Sequence, residues 1–301
     1  DNLEFENKIS NSKLSFILFT HLEHPNITTH TYKINPLIIH VGDWPMAYRL
    51  NEFKFKRNFI SLIKIIRCHF KLMALKNNLK KYILIFVNSE ECDLAKNFGF
   101  NKAKHINIGL DVPNNLIKSK VDPYKLIFSG NFNYPPNKQA AKELINFFTK
   151  YNDKNYSLSF IGFNANLLND FIPNNSNIDL LDNVPSVIQE LNRLRGIYIS
   201  LISFGSGSKN KIMQALVTGC YVIASKESLD NSLDIYKDRI FEINIHDKNW
   251  TKVLSNHLKK IIKNQSAISI STNQMSKEIS NTRSWKNVSE DLDNLLTIIK
   301  K

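Results

Sequence analysis

The chain has 301 residues, 43% of them apolar, enough for two domains with separate cores. A net charge of +13 points to an anionic partner (nucleic acid, a membrane surface or a phosphorylated ligand), although the abundance of Lys, Asn and Ile throughout is also what AT-rich coding would impose on any surface. No apolar run reaches the ~18–20 residues of a membrane span, and Cys68, Cys92 and Cys220 lack CxxC spacing, which argues against a disulfide framework or a zinc site and for a reducing compartment.

In chain order, Leu37-Ile38-Ile39-His40 after Pro36 predicts a strand. A long basic helix is predicted from Lys54 to Lys81, with Phe59, Ile60, Leu62, Ile63, Ile66, Phe70 and Leu72 near helical period. Residues 82–87 read as a strand, 90–98 as a helix stopped at Gly99, and 105–108 as a strand. The polar stretch 114–123 is the linker candidate. A new alternation follows, with strands at 125–129, 158–161, 178–181, 197–201, 221–224 and 240–243. Helices at 136–150, 165–171, 184–194 and 209–217 separate them, and the chain is mostly helical after 247. This pattern predicts an α/β protein with βαβ units and parallel sheets. The parse is an N-terminal domain over 1–117, a second over 118–283, and a last helix over 284–301 that packs back toward the first domain.

Ligands of open parallel sheets bind beyond the carboxyl ends of the strands. Those ends carry Ser129-Gly130-Asn131, Gly162-Phe163-Asn164, Asp182-Asn183 and Ser203-Phe204-Gly205-Ser206-Gly207. The last continues as Ser208-Lys209-Asn210-Lys211 into an apolar helix. The order of residues is not that of a P-loop. A Gly/Ser turn at a helix start with two lysines nevertheless suits phosphate, through backbone N–H groups, the helix dipole and full charges. A solvated loop capped by Ser208 is the plain alternative.

These segments resemble family 4 glycosyltransferases of the GT-B fold, notably the sugar transferases of bacterial polysaccharide assembly. The resemblance rests on Ile127 to Ala140 (I-F-S-G-N-F-N-Y-P-P-N-K-Q-A), on Leu180 to Val184, and on Gly205 to Leu216 followed by Gly219 and Tyr221-Val222-Ile223-Ala224. Val87 to Glu90, Asn107 to Asp111 and Trp285 resemble further family segments. It covers about residues 37–300 and is clear from 85 to 230. It implies two Rossmann-like domains facing a cleft, the first incomplete, because the family's first strand, Gly-rich loop and helix have no counterpart. It also implies transfer of a sugar from a nucleotide-diphosphate donor to a glycan or lipid-linked acceptor, with retained configuration, by a cytoplasmic protein in cell-surface polysaccharide synthesis.

By the same resemblance, Lys209 and Lys211 neutralise the donor diphosphate, assisted by backbone N–H groups of Gly205, Ser206, Gly207 and Ser208. Gly130 lets the backbone approach the donor, or is a simple turn glycine. Asn131 and Asn137 hydrogen-bond the donor, and Asp182 and Asn183 belong to the segment facing the base. The family's two glutamates, eight positions apart, fall on Ser206 and Gln214 here, which motivates the alternative of a weakened relative that binds nucleotide sugar or a partner. His40, with Asp43 nearby, matches a strand end that faces the donor sugar, where it can orient a hydroxyl; a structural His bonded to a carbonyl is the other reading. No Asp-x-Asp loop is present, so no cofactor and no metal are expected. Core packing is the reading for Ile60, Ile63 and Ile66, and an anionic membrane surface the reading for the basic end near Lys54. The lysines are scattered and no RNA-binding signature occurs, so nucleic acid is not expected.

Overall fold

Short Ile- and Leu-rich runs become parallel strands in both halves of the chain. The computed structural model describes residues 17–19, 37–42, 44–80, 82–113, 116, 120–151, 153–205 and 209–300. The chain divides into two units. The first comprises Asp1–Ile108, Ser206–Ser208 and Val288–Lys301, and the second Gly109–Gly205 and Lys209–Asn287.

In the first unit β1 (Ile17–Phe19), β2 (Leu37–Val41), β3 (Ile83–Phe86) and β4 (Ala103–His105) lie in that order in a parallel sheet. Side chains alternate across the pleat, which separates two faces. Ile39, Val41, Leu84 and Phe86 join a cluster with Trp44, Leu72, Leu79 and Phe100. Ile38, Ile83 and Ile85 face Leu292 and Leu295 instead. Trp44 stands edge-on to Phe86 and Phe100, at 5.7 and 5.6 Å between centroids.

The single helix expected from Lys54 to Lys81 is two helices. Pro45 opens α1 (Pro45–Lys56), and Arg57 ends it in a left-handed conformation at φ 45°. Asn58 then caps α2 (Phe59–Leu79), its side-chain oxygen accepting from the Ser61 N–H at 2.9 Å. Glu52 of α1 is buried at 2% exposure and accepts from Arg49 (2.9 Å), Lys56 (2.8 Å) and Lys64 of α2 (2.9 Å). Burial alone would raise its pKa, but the three cationic donors prevail and hold it at about 2. The core packing expected of Ile60 and Ile66 does not occur, because both are exposed. The inward face of α2 is instead Ser61, Ile65, Cys68, Leu72, Leu75 and Leu79. Next, α3 (Ser89–Asn97) starts at the Asn88 cap, and its buried Glu91 accepts from the Trp44 N–H at 2.6 Å.

The second unit alternates as expected. Its strands are β5 (Lys125–Ser129), β6 (Ser157–Gly162), β7 (Ile178–Asp182), β8 (Ile197–Ser200), β9 (Tyr221–Ser225) and β10 (Ile240–Ile243). Its helices are α4 (Pro135–Tyr151), α5 (Val187–Leu194), α6 (Asn210–Val217), α7 (Trp250–Lys263) and α8 (Gln265–Thr282). The residues 165–171 form a 3-10 helix, not an α-helix, after a left-handed Asn164. The six strands are all parallel, in the order β10-β9-β8-β5-β6-β7. Phe128, Phe132 and Phe160 pack edge to face in the core between β5, β6 and α4. Within the second unit, the Leu110 N–H donates to the Arg283 carbonyl at 2.9 Å. The Trp285 indole N–H donates to Asp111 at 2.8 Å. The last helix, α9 (Trp285–Lys300), passes from the second unit to the first at Val288. No helix among the described residues is long and apolar enough to cross a membrane.

Candidate functional site

The strand order of the second unit creates a switch point. From β5 the chain moves outward through β6 and β7, and from β8 it moves the other way through β9 and β10. Loops leaving the carboxyl ends of β5 and β8 therefore part, and the crevice between them is where such sheets hold ligands. On the β8 side the loop is firmly based. The Ser228 hydroxyl lies 2.8 Å from that of Ser200 and 2.9 Å from that of Ser225, and the Ser225 hydroxyl donates to the Ile202 carbonyl. All three serines are buried. Below them the Tyr198 hydroxyl meets Ser129 of β5 at 3.0 Å.

A chain of contacts spans the crevice. Asn137, buried in the first turn of α4, donates from its amide to the Asn131 carbonyl at 2.8 Å. Its side-chain oxygen accepts from Lys211 Nζ of α6 at 2.6 Å. Gly130 makes room for this, since a Cβ there would lie 2.9 Å from the Asn137 amide nitrogen. The placement of Asn137 thus favours glycine at position 130. Burial, with a smaller push from the Lys209 charge, lowers the Lys211 pKa to about 8. The ammonium sits 5.9 Å from the Phe128 ring centroid, and no described carboxylate partners it.

Lys209 is the residue that precedes α6, and its backbone N–H donates to Asp230 at 3.2 Å. Asp230 also takes the Ser232 N–H at 3.0 Å. This carboxylate at the start of α6 escaped the sequence reading, although it stands just beyond β9 as the other rim residues stand beyond their strands. Gln214 lies on the same helix, three residues after Lys211, and is half-buried. A Cβ at Gly205 would make an ordinary contact with the Ile202 side chain, at 3.9 Å. Ser206, Gly207 and Ser208 lie outside the described residues.

The structure does not bring Asp182 and Asn183 into this network. They end β7, the outer strand, two places from β5. Asp182 accepts from the Ala165 N–H at 2.7 Å and from the Asn183 amide at 2.9 Å, which ties β7 to the turn after β6. Gly162 of that turn has φ 131°, and a Cβ would fall 2.3 Å from the Gly130 carbonyl, so only glycine fits. Asn131 is exposed, its side chain accepting from the Asn133 N–H. In the first unit His40 is half-buried on β2, paired in register with Ile85, while Asp43 lies outside the described residues. Among the described residues no group of three or more His, Cys, Asp or Glu is placed to hold a metal ion.

No protein-family model matches the chain, and no curated protein matches it. Solved structures do. TarM superimposes with a TM-score of 0.65 at 12% identity, over 89% of this chain and 51% of TarM. Sucrose-phosphate synthase of Thermosynechococcus elongatus gives 0.65 at 10% identity, over 98% and 76%. HepE of Anabaena, solved with UDP and glucose, gives 0.63 at 11% identity, over 87% and 71%. The chain thus spans about half the length of TarM. At these identities the likeness establishes the fold, which is GT-B: α/β units, each on a parallel sheet.

Proposed function

We propose that this chain is a glycosyltransferase that moves a sugar from a nucleotide-diphosphate donor to a glycan or lipid-linked acceptor. The observation that carries the reading is the Lys211 ammonium, without a carboxylate partner among the described residues and held by Asn137 at a sheet switch point. The company of similar folds supports it: S. aureus TarM was solved with UDP, and HepE with UDP and glucose. Family 4 membership, hexosyl transfer with retention, independence of metal, cytoplasmic placement and a role in surface polysaccharide synthesis belong to the same proposal. They rest on the motif resemblance.

The chemistry follows from charge. Breaking a glycosidic bond to a diphosphate leaves growing negative charge on the leaving group. A desolvated ammonium fixed beside it interacts more strongly with that charge than with the ground state. Asn137 sets the position of Nζ, and the positive end of the α6 dipole adds to the field. Asp230, on the Lys209 N–H, occupies a donor that a phosphate oxygen can take over.

Calorimetric titration with UDP, GDP, ADP and CMP, with and without magnesium, tests the reading. Micromolar binding of one of them, indifferent to magnesium, is expected. Gln214→Glu then separates an enzyme from a binding relative: it raises turnover in the first case and leaves it undetectable in the second. Failure of all four nucleotides to bind overturns the proposal.

A further inference from the structure

Helix α2 is apolar on two opposite faces. Its inward face, Ser61, Ile65, Cys68, Leu72, Leu75 and Leu79, closes the core of the first unit. At 100° per residue, Phe59, Leu62, Ile63, Ile66, Phe70 and Met73 fall on the opposite side. Phe59 is 74% exposed, Phe70 68%, Ile66 48% and Met73 47%. A ridge of large apolar side chains at a spacing of four and three is far from the scattered apolar residues that any surface shows.

The charge around this ridge is one-sided. Residues 45–80 contain nine Lys and Arg against one acid, Glu52. That acid is buried and already bound by three of the cations. Lys64, Arg67 and Lys71 fall along one flank of the ridge, Lys76 on the other, and Lys54, Lys56 and Arg57 lie at its start. A segment this basic repels a second copy of itself. A polynucleotide would use the charges and leave the apolar ridge in water. An anionic lipid surface uses both, because acyl chains accept the ridge while headgroups accept the flanks.

We infer that the outer face of α2 docks the chain on an anionic bilayer, the ridge Phe59, Ile63, Ile66, Phe70 and Met73 entering the headgroup boundary. The inference stands on α1 and α2 alone and does not need the transferase reading, so a failure of one leaves the other in place.

The test is co-sedimentation of the full chain with extruded vesicles of phosphatidylcholine, alone and with about a third phosphatidylglycerol. Binding to the anionic vesicles is expected, with strong weakening in salt and much weaker binding to neutral vesicles. Ile66→Ser/Phe70→Ser lowers the partition coefficient about tenfold or more, while thermal unfolding stays unchanged because both side chains are exposed. Arg57→Gln/Arg67→Gln lowers it on anionic vesicles alone. Absence of vesicle binding overturns the proposal. So does equal binding of wild type and Ile66→Ser/Phe70→Ser. Light scattering that shows a dimer abolished by Ile66→Ser/Phe70→Ser, without vesicle binding, assigns the face to a second copy. Retention on an oligonucleotide that the same variant leaves unaltered, again without vesicle binding, assigns the charge to nucleic acid.

Discussion

Glu52 and Lys211 are both withdrawn from water, one in each unit, and their surroundings differ in kind. Glu52 has three cationic donors within 2.9 Å, and its pKa falls to about 2. Lys211 has one neutral amide and an aromatic ring, and its pKa falls to about 8 because the charge is poorly supported. The acid is therefore more stable charged than it would be in water, and the base less so. A charge satisfied from every side holds structure together. A charge kept in place but not neutralised marks a candidate site for an anionic ligand.

The largest effect expected from this contrast is on binding. Lys209→Ala/Lys211→Ala weakens nucleotide-diphosphate affinity by about a hundredfold or more, some 3 kcal/mol in calorimetry. An unchanged affinity would dissolve the contrast.

Next comes Glu52. Glu52→Gln costs about 2–3 kcal/mol of unfolding free energy, below the range for a wholly buried pair because the three cations reach solvent. The folded-state pKa lies below the ordinary value of 4.5, so the stabilisation is full above pH 4.5 and disappears as pH falls toward 2. Denaturation of wild type and Glu52→Gln across that window should converge at the acid end.

Lys211 runs in the opposite sense. Its folded pKa of about 8 lies below the ordinary 10.5, so its charge opposes folding below pH 8, and that opposition fades as pH rises. Lys211→Met is expected to raise stability by about 1–2 kcal/mol at neutral pH while removing the nucleotide site. Affinity of the wild type for UDP should fall up to about tenfold per pH unit above pH 8, as the ammonium loses its proton. A flat profile would show that Nζ does not meet the ligand. The smallest effect is that of Gly130→Ala, about 1 kcal/mol of stability and a few-fold in affinity, from the crowding of Asn137.

The second unit was legible in the sequence because its strands are short, apolar and bounded by Gly, Asn or Pro, so period and punctuation agree. Gly130, Asn137 and Lys211 could be picked out because each lies at a strand end or helix start. Asp230 could not, because its partner Lys209 is 21 residues away and only the fold joins them. The Lys54 to Lys81 segment misled for a different reason. Apolar residues on both faces of α2 satisfy a helical period without saying which face is the core, and the same period runs on across the left-handed Arg57. The Asn58 cap was the available signal for the break.

The passage of α9 into the first unit at Val288 has a consequence for biosynthesis. Ile38, Ile83 and Ile85 emerge from the ribosome long before Leu292 and Leu295, the side chains that cover them. The second unit is translated whole within that interval and can fold as soon as it emerges. That face of the first unit lacks Leu292 and Leu295 until after the second unit has been translated. Its early life is the period in which chaperones or aggregation have most to act upon.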